Sequence, residues 1–201
     1  MKKNLVLIFT IAIGHIFTSC VNENSGNTTS ENVKEAQEEI SFNPVSINNE
    51  YEISVPDYMT PAKDLNAEAS LQYQNIYKET YVIIIDESKE DFVTAFRELG
   101  EYDDSMSTIE NYRKTQLLFL MEGINLKKQT KPKNLTINGL NAEYVELDGI
   151  PEGLDLDISY FFTFIEGKNK LYMVMAWTLG DRKMKYKSMF EQLSQSFRLL
   201  D

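Results

Sequence analysis

Tyr51, Ile53 and Val55 alternate with Glu52 and Ser54 before Pro56 closes the run, the pattern of a strand with one buried face. A second alternating run spans 70–77 through Leu71, Tyr73 and Asn75. Residues 81–85, Tyr-Val-Ile-Ile-Ile, are apolar without interruption and rich in β-branched side chains, as a central strand covered on both faces requires. Ser88 with Asp91 three residues later resembles a capping box, and Phe92, Phe96 and Leu99 then recur at helical spacing up to Gly100. The spacing predicts another helix over 107–122, with Ile109, Tyr112, Phe119 and Leu120 facing inward and Gly123 as its stop.

Asn138-Gly139, between Leu135/Ile137 and the alternating Leu140, Ala142 and Tyr144, is the strongest hairpin signal in the chain. Residues 158–165 and 171–177 predict two further strands joined by a turn at Glu166-Gly167-Lys168-Asn169, and both runs are apolar on each face. The last element, 182–197, places Phe190, Leu193 and Phe197 on one stripe of a helix. The predicted order is βββααββββα: an α+β fold in which helices sandwich an antiparallel sheet. It forms one domain over 41–201, long enough to bury roughly two thirds of its unfolded surface.

The N-terminus has a different pattern. Lys2 and Lys3 precede an apolar run of 13 residues from Leu5 to Phe17, shorter than the about 20 residues a spanning helix needs. A basic start, an apolar stretch and a small-residue exit are the order of an export signal. The run then reaches Phe17-Thr18-Ser19-Cys20, which resembles the lipobox of bacterial lipoproteins. There the signal, here 1–19, is cut before the cysteine, and the cysteine is acylated. Ser19 suits the small position before the cut, while Phe17 stands where an aliphatic residue is usual. The alternative is an ordinary secretory signal followed by an unpaired cysteine. Under either reading the domain leaves the cytoplasm, and under the first the lipid on Cys20 makes the membrane its partner. Each buried acyl CH₂ contributes about 0.8 kcal/mol, so several chains give a lasting hold. Residues 20–40 carry almost no large apolar side chain and are expected to be a flexible acidic tether, with a typical reach of about 25 Å.

Composition narrows the chemistry. The only histidine, His15, lies in the signal, and Cys20 is the only cysteine. A mature chain of this kind lacks the parts for a histidine-based triad, a free cysteine nucleophile, a His/Cys zinc site or an internal disulfide. Removing Lys2 and Lys3 with the signal takes the 20 basic residues to 18 against 31 acidic ones, and the formal net charge from −11 to −13. Such a surface repels nucleic-acid phosphates and anionic headgroups alike. No nucleic-acid partner and no cofactor are expected.

Three stretches carry a resemblance to the PsbP-like family, which takes in the photosystem II subunit PsbP and the bacterial lipoprotein DcrB. They are Tyr-Glu-Ile-Ser-Val-Pro at 51–56, Ile-Asn-Gly-Leu-Asn-Ala-Glu-Tyr at 137–144, and the late pair of aromatic strands leading to the terminal Ser-Phe-Arg-Leu-Leu. The resemblance covers about 150 residues and its motifs are structural. It implies a sheet between helices and an accessory or binding subunit without catalysis of its own, acting on an envelope partner. It carries over no catalytic residue.

Four groups of side chains are candidates for chemistry. Asp148, Glu152, Asp155 and Asp157, beside Gly149 and Gly153, offer hard oxygens to Ca²⁺, although their spacing is not that of an EF-hand and a solvated loop explains them equally. The pairs Asp103/Asp104 and Glu152/Asp155 have the composition of a glycan hydrolase acid and base, but 31 acidic residues produce pairs by chance. Met173, Met175, Met184 and Met189 offer thioethers to Cu(I) or, more simply, fill the core. Trp177 can stack on a flat ligand or join the core of its apolar strand, as can Tyr160, Phe161, Phe162 and Phe164. The lipid reading carries the first prediction. Cys20→Ala moves the protein from the membrane fraction to the soluble fraction, followed by immunoblotting of fractionated cells.

Overall fold

The computed structural model describes residues 40–200, so Cys20, the signal and nearly all of the tether lie outside the described residues. The described residues begin with β1 (Phe42–Ile47), β2 (Tyr51–Pro56), β3 (Thr60–Pro61), β4 (Ala69–Asn75) and β5 (Thr80–Ser88). Two helices follow, α1 (Lys89–Glu98) and α2 (Thr108–Met121), and then β6 (Ile124–Gln129), β7 (Lys133–Ile137), β8 (Leu140–Pro151), β9 (Ile158–Glu166) and β10 (Lys170–Leu179). A 3₁₀ turn at Gly180–Arg182 leads into α3 (Lys183–Gln195) and a short β11 (Arg198–Leu199). Among the described residues no helix is long and apolar enough to cross a membrane.

The antiparallel main sheet has the order β3-β4-β5-β10-β9-β8. The outer edge of β8 is shared: β7 pairs with its first part, Leu140 to Tyr144, and β6 with its second, Leu147 to Pro151. Along β9 and β10 successive side chains enter opposite cores. Phe161, Ile165, Tyr172, Val174 and Ala176 meet Tyr186, Phe190 and Leu193 of α3 and Tyr51, Ile53 and Val55 of β2. Tyr160, Phe162, Phe164, Leu171, Met173 and Met175 meet Phe92 of α1 and Ile109, Tyr112, Leu117 and Leu120 of α2. One face is therefore roofed by α1 and α2, and the other by α3 together with a three-stranded sheet, β1-β2-β11.

Local chemistry sets the ends of these elements. Ser88 caps α1 by accepting the Asp91 N–H, and Gly100 follows the helix at φ +75°, a conformation that costs glycine little. The Ser107/Glu110 pair forms a full capping box on α2. Asn138 and Gly139 both have positive φ, 47° and 84°, which gives β7 and β8 their two-residue turn. The Asn138 side-chain amide also donates to the Phe197 carbonyl at 2.7 Å, tying this hairpin to the C-terminal segment.

The observed order departs from the predicted one in four strands. Pro44 and Asn43 interrupt the alternation of β1, which is an edge strand and so tolerates proline. In β6 only Ile124 is buried, and Leu126 is followed by Lys127, Lys128 and Gln129, the lysine guard of an exposed edge. β3 and β11 have two residues each, too few for any periodicity. Tyr77, expected in a strand, sits in the β4–β5 turn and is 87% exposed. In α2, Leu117 takes the inward position expected of Phe119, which is exposed.

Phe162 lies fully buried on β9, stacked between Tyr160 and Phe164. Phe162→Ala lowers the unfolding free energy by about 3 to 5 kcal/mol, measured by urea denaturation. Leu118→Ala, on the exposed side of α2, stays within about 0.5 kcal/mol of the parent.

Candidate functional site

The side chains of β8 divide by parity, and its polar residues fall on both faces. Glu143 points toward α2, where the Arg113 guanidinium Nε donates to its carboxylate. Glu146 and Asp148 point toward α3. Lys183 Nζ lies 2.9 Å from Glu146 and 2.8 Å from Asp148, and Lys187 Nζ lies 2.5 Å from Glu146. The Tyr144 hydroxyl donates to Glu146 at 3.2 Å, and Ser159 Oγ donates to Asp148 at 2.7 Å. The Glu146 N–H donates to Thr130 Oγ1 at 2.9 Å, so the connection between β6 and β7 is drawn onto the same cluster.

Burial acts to raise the Glu146 carboxyl, and the ammonium groups of Lys187 and Lys183 outweigh it, holding the group below the ordinary carboxylate range. Asp148 follows the same balance, with burial opposed by Lys183 and Ser159. Burial works against the Lys183 charge, but Asp148 and Glu146 overcome it and keep the ammonium group above its usual value. The cluster is a fixed array of ionised groups, each compensated by its neighbours. A catalytic acid needs its proton retained near neutral pH, and here Glu146 and Asp148 are driven the other way. Glu87 is the opposite case. Burial pushes its carboxyl up, the nearby Tyr112 hydroxyl lowers it, and Asp86 raises it. It accepts a 2.8 Å hydrogen bond from the Gln116 side chain of α2.

The residues picked out by composition do not converge. Asp148 belongs to β8, not to a glycine-rich loop, and its carboxylate is held by Lys183 and Ser159. Gly149 beside it is a packing position: a Cβ there meets Ile124 Cγ2 at 2.5 Å and the Asn125 carbonyl at 2.9 Å, where β6 crosses close to β8. Glu152 and Asp155 lie exposed in the following turn, and Asp157 pairs with Lys127 at 2.5 Å. Among the described residues no group of three or more His, Cys, Asp or Glu side chains is arranged to hold a metal ion. Asp103 accepts from the backbone and hydroxyl of Ser105, and Asp104 from Arg97, so each member of that pair has its own local partner. Met173 and Met175 are buried on the α1/α2 side, Met189 is buried on the α3 side and Met184 is 81% exposed. The four thioethers are divided among three environments.

Trp177 lies at the border of the core beneath α1 and α2, half-buried, and stacks on Tyr81 of β5 with centroids 5.2 Å apart and planes 10° from parallel. The Tyr81 hydroxyl donates to Glu79 at 2.8 Å. Two surface depressions lie elsewhere. One, of about 410 Å³, runs along α3 at Ser188, Glu191, Gln192, Gln195 and Ser196, and another touches the β7–β8 hairpin. Both are open and neither includes Trp177 or the acidic residues 148–157.

The paired lysines were legible as a spacing: Lys183 and Lys187 are four apart on the side of α3 that carries Tyr186 and Phe190. Glu143 and Glu146 stand within an otherwise apolar run of β8. Charges so placed need partners once buried, but their identity depends on the register of β8 against the two helical layers.

These layers, with the shared edge of β8, define a PsbP-like fold. Among solved structures the chain is similar to cyanobacterial PsbP from Synechocystis, at 14% identity and a TM-score of 0.50 over 86% of this chain and 98% of that one. It is also similar to PA94 of Pseudomonas aeruginosa, at 15% identity and a TM-score of 0.46 over 77% and 94% of the two chains. LpqN of Mycobacterium tuberculosis, a protein involved in cell envelope biogenesis, is 10% identical with a TM-score of 0.47 over 81% and 92%. No family model matches the chain, and no curated protein matches it.

The buried network yields a signed pH dependence. Because the folded Glu146 carboxyl titrates below its ordinary value of 4.5, its stabilisation is complete above that pH and is lost as pH falls through the lower native value. Glu146→Gln costs about 1 to 3 kcal/mol at pH 7 and flattens the acid limb of stability against pH. Urea midpoints collected from pH 3 to 7 measure both effects.

Proposed function

We propose that this protein is a lipid-tethered accessory or binding module of the cell envelope, without catalysis of its own, that works through contact with another envelope component. The observation that carries this reading is the use made of the polar side chains inside the domain. Arg113 with Glu143, Lys183 and Lys187 with Glu146, and Lys170 with Asp86 and Glu50 each join one element to another. Their charges serve to assemble the layers. Binding is then left to the outer surface and the ends of the sandwich. The lipobox-like Cys20 and the acidic 20–40 stretch support a place outside the cytoplasm at the end of a tether. The PsbP-like fold suits an accessory role, although one fold hosts many activities.

In-cell cross-linking of the full-length protein, followed by mass spectrometry of what is captured, tests this. An abundant protein partner that is captured by the parent and lost with Cys20→Ala is the expected outcome. Capture of no reproducible partner overturns the reading and transfers weight to a small ligand or an envelope glycan.

A further inference from the structure

The described chain enters the domain at one end of the sandwich, and that end carries an unusual set of exposed side chains. Phe42 pairs with Pro56, and the Asp57 N–H donates to the Ser41 carbonyl at 2.9 Å. The next residue, Tyr58, accepts the Asn75 side-chain amide at 2.7 Å and lies under Lys78 Nζ at 4.7 Å from its ring centroid. Entry point and β4–β5 turn are thus adjacent. The tip of that turn is Ile76-Tyr77, with Ile76 56% and Tyr77 87% exposed. Arg182 reaches the Tyr77 carbonyl at 3.3 Å, and two residues on, Met184 is 81% exposed. Leu156, 36% exposed, precedes Asp157, whose carbonyl accepts the Gly180 N–H at 2.7 Å. The four apolar side chains come from three separate segments.

We propose that this end of the domain is a membrane-docking tip, with Ile76 and Tyr77 inserted at the boundary between headgroups and acyl chains. The inference rests on the reading of Cys20 as lipidated. A domain joined to a bilayer through the chain that enters beside Ser41 has this end nearest its anchor. The 20–40 stretch, at about 25 Å of typical reach, lets the end touch the surface. An isoleucine and a tyrosine on a protruding turn match the apolar and amphipathic demands of the interface. At this end exposed Asp57, Asp155 and Asp181 stand beside Lys78 and Arg182, and Asp157 is paired with Lys127, so neither sign of charge dominates. The contact is therefore apolar, and its natural surface is zwitterionic.

Site-specific labelling of the full mature lipoprotein tests the tip. Tyr77→Cys is coupled to an environment-sensitive fluorophore and reconstituted into phosphatidylcholine vesicles whose acyl chains carry bromine. Lys168→Cys, in the β9–β10 turn at the opposite end of the sheet, is treated in the same way. Insertion to about 5 to 10 Å shifts the emission of the Tyr77 label to the blue and makes it quenchable by bromine, while the Lys168 label stays unquenched. Equal absence of quenching at both positions in the acylated protein overturns the docking tip and leaves the tether reading intact. Mass spectrometry separates the other failure. An acylated Cys20 has no free thiol and admits one label per chain, whereas two labels show that Cys20 is unmodified, and both the tether and the tip then fall.

Discussion

Two adjacent strands without a polar face set the terms for the rest of the molecule. Every side chain of β9 from Ile158 to Ile165 is buried, and β10 is buried from Leu171 to Ala176. Such a pair cannot stand at a surface on either side, so the chain must supply two roofs. The segment between β5 and β6 supplies α1 and α2 for one face. Among the described residues α3 is the one α-helix after β10, and one helix cannot cover an eight-stranded sheet. The remainder of the second roof is the small sheet β1-β2-β11, where Tyr51 stacks on Phe197 at 5.1 Å and meets the edge of Tyr172 at 5.6 Å. Strands β1 and β2 are thus part of the core, and β11 joins them on the face that lacks a second helix.

Charge pairs then orient these roofs on the sheet. An apolar helix face tolerates sliding, since hydrophobic contact is not directional. Arg113 on α2 and Lys183 with Lys187 on α3 meet carboxylates of a single strand, β8, from opposite faces. Buried pairs return little net stability, because desolvation offsets much of their attraction. Their geometric demands are strict, however, and a displaced helix would leave a carboxylate buried without its partner, at a cost of several kcal/mol. Lys170, bridging Glu50 and Asp86 at 2.7 Å each, does for the β1–β2 turn what Lys183 does for α3.

The elements legible in the sequence were those whose signal is local. Capping by Ser88, the helix over 107–122, the Asn138-Gly139 turn and the two apolar strands read at 158–165 and 171–177 all depend on residues a few positions apart. The strands that were not legible lie at edges. β1 holds its proline because it lies at an edge among the described strands, and β6 is exposed at all but Ile124 because one side of it faces solvent. Among the candidate residues, Asp148 was misplaced for the same kind of reason. It reads as part of a run of carboxylates beside glycines, but Gly149 is there to let β6 approach, and the strand continues to Pro151. Trp177 was read as core or ligand platform, and it stands at the border of the core, paired with Tyr81 across the β5–β10 register. Pairing across strands settles such cases, and it is not encoded at short range.

The buried network also bears on the exposed end of the domain. Lys183 is the first residue of α3 and is held between Glu146 and Asp148, and the neighbouring Arg182 and Met184 extend from that fixed point. The β4–β5 turn is fixed from its other side, by the Asn75 amide on Tyr58 and by Asn75 Oδ1 accepting the N–H groups of Tyr77 and Lys78 at 3.1 and 2.8 Å. A turn tied down at its base by three hydrogen bonds presents Ile76 and Tyr77 in one orientation, so ordering them on contact costs little further backbone entropy. Ion pairs under α3 and side-chain bonds under the turn therefore act together, holding an apolar tip rigid where the chain enters the domain.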